Sequence, residues 1–172
     1  MINLYKILTY ILLPFAAIFG LLTVVTFFIA IANPAMFLGV FMLAAVAIYV
    51  FCCLRFVRQG INLQRPLTSK LKDWIKVNAY VASPFAIMNL LQSVTIIGKP
   101  SLLKEIVIQM TEMQQKAGFP TQPAGSYDAM LMGLLYVMLL FSIALFVHII
   151  LTFALLRKYN ELFEPTQSSA TD

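Results

Sequence analysis

Acidic side chains are few in this chain, seven in 172 residues, and none falls in a long apolar run. They are Asp73, Glu105, Glu112, Asp128, Glu161, Glu164 and Asp172. Coupled proton or sodium transport ordinarily needs an intramembrane acid, so their placement argues against it. Histidine occurs once, as His148. One histidine excludes a haem held by two histidines of the same chain, and a zinc site lacks ligands. The two cysteines, Cys52 and Cys53, are adjacent. Membrane thiol oxidoreductases present Cys-x-x-Cys, so the pair reads as two small buried residues, with palmitoylation as the minor alternative. No Gly-x3-Gly pair, Gly-rich phosphate loop, Ser-His-Asp set or paired carboxylate is visible. These gaps leave no catalytic group and no cofactor to assign.

What the chain has is apolar length. Hydrophobic residues make up 61% of it and charged residues only 11%, against about 25% in soluble domains. No Lys, Arg, Asp or Glu occurs from Ile7 to Leu54, from Val77 to Gly98, or from Ala129 to Leu156. A spanning helix needs about 20 apolar residues. The first stretch holds two spans, divided at Ala32-Asn33-Pro34. The expected class is therefore all-α: a polytopic integral membrane protein, residues 1–172 forming one transmembrane domain. The expected spans are 8–32, 36–56, 77–97 and 129–156. Lys6 and Ala30-Ile31-Ala32 imitate a signal peptide, but the apolar run between them outlasts the usual roughly 7–15 residues. It reads as an uncleaved span.

Lys and Arg set the expected orientation. Nine lie in the tail before span 1, the link between spans 2 and 3, and the tail after span 4. Three lie in the other loops: Lys99, Lys104 and Lys116. The positive-inside bias then puts both termini in the cytoplasm, and the short loops lean toward a bacterial inner membrane. Trp74, Tyr5 and Tyr159 suit the inner interface and Tyr127 the outer one. The net charge of +5 is first a topology signal; with no folded basic domain, nucleic acid is excluded as a partner. In the inner loop, Thr68-Ser69 could cap a helix running into span 3. Arg55, Arg58, Arg65, Lys70, Lys72 and Lys76 read plainly as topology determinants. More sharply, they are candidate contacts for anionic lipid head groups, since clusters of 4–8 basic residues attract such lipids.

Two segments 70 residues apart nearly repeat: Lys6-x3-Tyr10-x3-Pro14-Phe15-Ala16 and Lys76-x3-Tyr80-x3-Pro84-Phe85-Ala86. They imply two tandem helical hairpins in parallel orientation, with a proline break at matching depth. Spans 2 and 4 add only a shared Leu-Arg ending. A proline frees the carbonyl four residues earlier, here those of Tyr10 and Tyr80. By a rise of about 1.5 Å per residue, Pro14, Pro84, Ser83 and His148 share one layer, and Ala45-Val46-Ala47 could leave space there. His148 reads functionally as a proton carrier, quinone contact or metal ligand. The simpler reading is a neutral imidazole that joins helices through a freed carbonyl or Ser83. Asn89, Gln92 and Ser93 share one face of span 3, which makes span 3 the most central or cavity-lining span.

Between spans 3 and 4, Pro100-Ser101 marks a helix start and Gly118 a stop. Leu102, Leu103, Ile106, Val107, Met110 and Met113 recur at helical spacing, with Ile108 on the polar side. Residues 101–117 are expected to form an amphipathic helix in the outer interface, serving as a lid, a partner-binding face or a gate. Phe119 to Tyr127 is expected to be a turn-rich link and 165–172 a disordered tail.

The leading functional expectation is a non-enzymatic accessory or assembly subunit, or a small homo-oligomer, acting in the bilayer through helix contacts. A small transporter or channel for an uncharged or lipid-like substrate is the second. A quinone-reactive subunit centred on His148 is the third.

Overall fold

A computed structural model describes residues 1–118 and 124–163. Of the link expected at 119–127, residues 119–123 lie outside them, as does the tail at 165–172; residues 124–127 are not a link but the first turn of the last long helix, Ala124–Lys158. Among the described residues every regular element is helical. Helix α1 covers Ile2–Ala32, α2 Phe37–Arg55, α3 Ser69–Gly98, α4 Pro100–Lys116 and α5 Ala124–Lys158. A short 3-10 turn at Pro34–Met36 joins α1 to α2, and another at Asn160–Phe163 follows α5. Four segments are long and apolar enough to cross a membrane: Ile2–Ala32, Pro34–Asn62, Ser69–Gly98 and Tyr127–Lys158.

The helices outrun the expected spans, and the reason is local. Lysine, glutamine and leucine are good helix formers, so helix continues past the apolar core. The chain after α2 continues as a π-helix, Phe56–Asn62, rather than opening at Arg58. Gln64, with φ 49°, then turns the chain. Its N–H bonds Gly60 O and the Arg65 N–H bonds Gln59 O, both at 3.0 Å. The irregular link is only 63–68. It is pinned at its far end, where the Leu67 N–H reaches Leu162 O at 2.7 Å. The expected start of α3 holds: the Leu71 N–H bonds Thr68 O at 3.0 Å.

The prolines behave differently from a break. Both α1 and α3 run uninterrupted through Pro14 and Pro84. Apolar surroundings leave a helix no competing solvent, so a lost bond is tolerated in place.

The chain divides into two compact units. The first combines residues 1–85 with the chain from Ala144 onward, and the second is Ala86–Ile143. In the first unit, α1 buries Tyr5, Thr9, Leu12, Ala16 and Phe19. That alternating spacing of four and three is the seam a helix presents to packed neighbours. Against it α2 buries Ala45, Val46, Ala47, Tyr49, Val50 and Cys53. The trio at 45–47, where space was expected, is buried. It admits close approach instead, since a Cβ on Gly20 would sit 4.0 Å from Ala47 Cβ. Small residues at helix contacts serve this purpose in membranes. Phe19 meets Phe85 edge-on at 6.0 Å, and Tyr80 meets Phe153 at 5.4 Å. At the basic end, Phe56 gathers Tyr5, Tyr159 and Phe163, with ring centroids at 6.3, 6.3 and 5.5 Å.

In the second unit, α4 buries Leu103 and Val107. Ile108 and Met113 are exposed; the first was expected on the polar side, the second was not. The Tyr127 hydroxyl donates to Gln114 Oε1 at 3.1 Å, tying α5 to α4.

Gly60 sits where the π-helix folds under the 63–68 link. A methyl there would lie 2.8 Å from Leu67 Cδ1 and 3.1 Å from Phe56 Cδ2. Both neighbours are buried. Gly60→Ala is therefore expected to cost about 1–2 kcal/mol by overpacking, read as a lowered unfolding temperature in detergent.

Candidate functional site

The polar groups of the first unit converge on His148. Its ring is fully buried. Thr9 Oγ1 of α1 lies 2.9 Å from His148 Nε2, and the Tyr49 hydroxyl of α2 lies 2.8 Å from Nδ1. The same hydroxyl lies 2.7 Å from Thr152 Oγ1. The Tyr5 ring stacks on the imidazole at 4.6 Å and 12°, while the Tyr49 ring meets it edge-on. Cys53 Sγ closes the group at 4.0 Å from Thr152 Oγ1, and both cysteines are free thiols.

Each threonine also turns back on its own helix. Thr9 Oγ1 donates to Tyr5 O and Thr152 Oγ1 to His148 O, both at 2.8 Å. This back-bonding to the fourth preceding carbonyl is a local habit of threonine. It creates a shortage of protons. The two back-bonds use both threonine protons, so Tyr49 must donate to Thr152 and both imidazole nitrogens must then donate. A neutral imidazole carries one N–H. Five contacts thus share four protons. With a neutral ring at least one contact goes unmade. In one such arrangement Thr9 releases Tyr5 O and donates to Nε2; in another Thr152 releases His148 O and donates to Tyr49, and these two require opposite tautomers of His148.

The Tyr5 hydroxyl is the exception in this group. It is buried beside Cys53 and Thr152 yet has no hydrogen-bond partner among the described residues. The ring is held by stacking, not by its oxygen.

The expected proline layer does not assemble around this site. Pro14 and Pro84 are exposed; Tyr10 and Tyr80 are 50% and 68% exposed. Ser83 donates to Ala79 O at 2.8 Å, on its own helix, rather than to His148. The residues that do meet His148 form three polar pairs four residues apart: Tyr5 with Thr9, Tyr49 with Cys53, and His148 with Thr152. Such spacing keeps a pair on one helix face. That spacing in three spans was a readable signal, and Tyr5 belongs to it rather than to the interfacial belt. Trp74 is exposed.

The candidate polar face of span 3 lies in the second unit. Ser93 is buried, Asn89 half-buried and Gln92 exposed. They line a recess of about 210 Å³ with Ile96, Leu103 and Ile106. Of the candidate lipid contacts, Lys72 and Lys76 line a recess at the basic end of the first unit. Arg58, Arg65 and Lys70 are exposed, and Arg55 donates to Gln59 Oε1 at 3.0 Å.

Two tyrosines in one cluster should respond oppositely. Tyr49→Phe removes a hydroxyl that joins two helices and is expected to cost about 1 kcal/mol. Tyr5→Phe removes an oxygen that bonds nothing and should be neutral or stabilising by up to about 1 kcal/mol. Thermal unfolding of both variants in the same detergent checks the contrast.

Comparison with protein-family models, with characterised proteins and with solved structures finds no match to this chain.

Proposed function

We propose that this chain is a non-enzymatic integral membrane protein that works by binding, as an accessory or assembly subunit or as a small homo-oligomer. Gln92 carries the reading. Its side chain is exposed on α3, six residues before the helix ends at Gly98, or about 9 Å along the axis. A carboxamide facing hydrocarbon loses its water and gains nothing in return. Polar residues in spans ordinarily face protein. A neighbouring helix with a matching polar group resolves the cost, and the recess beside Asn89 and Ser93 receives its side chains.

His148 supports the same reading from the other side. The group best suited to proton or quinone chemistry is enclosed by Tyr5, Thr9, Tyr49 and Thr152. Its capacity is spent on joining helices. The transport and quinone readings both need a ligand to reach it.

The remaining features fit this picture. Positions 70 apart share burial: Tyr5 with Ile75, Thr9 with Ala79 and Leu12 with Ala82 are all buried. Tandem hairpins account for that correspondence. The charge pattern supports both termini in the cytoplasm, and the short loops support a bacterial inner membrane. Helix α4, with Leu103 and Val107 inward and Lys104, Glu105 and Glu112 exposed, then lies in the outer interface as an amphipathic cover.

The test is the mass of the assembly in mild detergent. Gln92→Leu is expected to weaken association by about 3- to 20-fold, the range of an interhelical hydrogen bond in a membrane. An assembly of unchanged mass and dissociation profile in Gln92→Leu, or a strict monomer in the unaltered protein extracted from its native membrane without other proteins, removes the contact role.

A further inference from the structure

The basic end of the first unit holds a recess of about 390 Å³ between α3 and the end of α5. Its polar wall is Lys72, Lys76, Arg157 and Asn160, and its apolar wall is Tyr80, Phe153 and Leu156. Among the described residues no acidic side chain lines it. Three cations around one recess repel one another, and an anion between them relieves that repulsion.

The recess is built rather than incidental. Asn160 Oδ1 accepts a hydrogen bond from Lys72 Nζ, and the same ammonium stands over the Phe163 ring at 5.9 Å. Phe163 is buried under Phe56, and the preceding residue, Leu162, is bonded to the 63–68 link. Lys72 is thus fixed by the turn that closes this end. Arg157 supplies the planar fork that pairs with phosphate oxygens, and the lysines supply point charges.

The two walls differ in depth. Lys72 and Tyr80 are eight residues apart on α3, about 12 Å along the axis, more than the thickness of one head-group layer. The cations therefore stand at head-group level while Tyr80 and Phe153, in contact at 5.4 Å, extend into the acyl region. A free phosphate has the chemistry for the upper wall and no use for the lower one. A phospholipid uses both.

We propose that this recess binds one anionic phospholipid, its phosphate held by Lys72, Lys76 and Arg157 and an acyl chain laid along Tyr80 and Phe153. The site does not depend on the subunit reading above. It needs only that this end of the protein lie at a membrane surface.

The experiment is native mass spectrometry of the full chain in mild detergent, with phosphatidylglycerol or phosphatidylcholine added. One phosphatidylglycerol per chain should be retained, in preference to phosphatidylcholine by about tenfold or more. Combining Lys76→Gln with Arg157→Gln should abolish that preference. Combining Arg58→Gln with Lys70→Gln removes the same charge outside the recess and should leave it intact. Equal retention of both lipids by the unaltered protein overturns the proposal without any variant. Equal loss in the two double variants overturns it in favour of diffuse surface charge. If inorganic phosphate alone raises the unfolding temperature as far as phosphatidylglycerol does, the occupant is a free phosphate and the lipid assignment falls.

Discussion

A histidine buried in an apolar bundle must find partners for two ring nitrogens, and meeting that need ties three helices of this protein together. Thr9 comes from α1, Tyr49 from α2, and His148 and Thr152 from α5. Each bond in such a setting contributes modestly. An unmade one costs more, because neither water nor lipid can replace it. The rotation of each helix about its own axis follows from this. Once Thr9 faces His148, Tyr5, Leu12 and Ala16 face inward with it, and Tyr10 and Pro14 face out.

The network also carries a choice. Five contacts for four protons mean that the site admits more than one hydrogen-bond arrangement. Exchange between the two in which Thr9 or Thr152 releases its carbonyl changes the imidazole tautomer and turns the hydroxyls of Thr9, Tyr49 and Thr152 together. Both keep α1, α2 and α5 joined; they differ in which threonine keeps its own helix's carbonyl. The aromatic layer of Phe56, Tyr159 and Phe163 closes the cluster from the basic end. That layer in turn sets the floor on which Lys72 stands. The closed interior and the basic recess are thus built on one set of rings.

Much of this was legible in one dimension. Charge-free runs located the four long helices, and Pro100 and Gly118 bounded α4 to within a residue or two. Thr68 and Ser69 marked the start of α3. The extent of helix beyond the apolar runs was not legible, because hydropathy reports the solvent a residue suits and not whether its backbone stays helical. The lysine–tyrosine–proline match drew notice to Pro14 and Pro84, yet the residues that matter to His148 are the neighbours of that motif. Tyr5 and Thr9 bracket Lys6, on the opposite face from Tyr10.

Composition and charge order were enough to establish an all-helical chain with four membrane-length segments and one basic-rich set of connections. Those properties add up along the sequence and need no knowledge of neighbours. Which polar side chains meet was decided only by tertiary packing. Threonine at 9, tyrosine at 49 and histidine at 148 each have several faces they could present, and their agreement depends on helix rotation and on which helices lie adjacent. The same holds for Lys72, Lys76 and Arg157: separated by more than 80 residues at the extremes, they become one site only because α3 and the end of α5 are brought side by side.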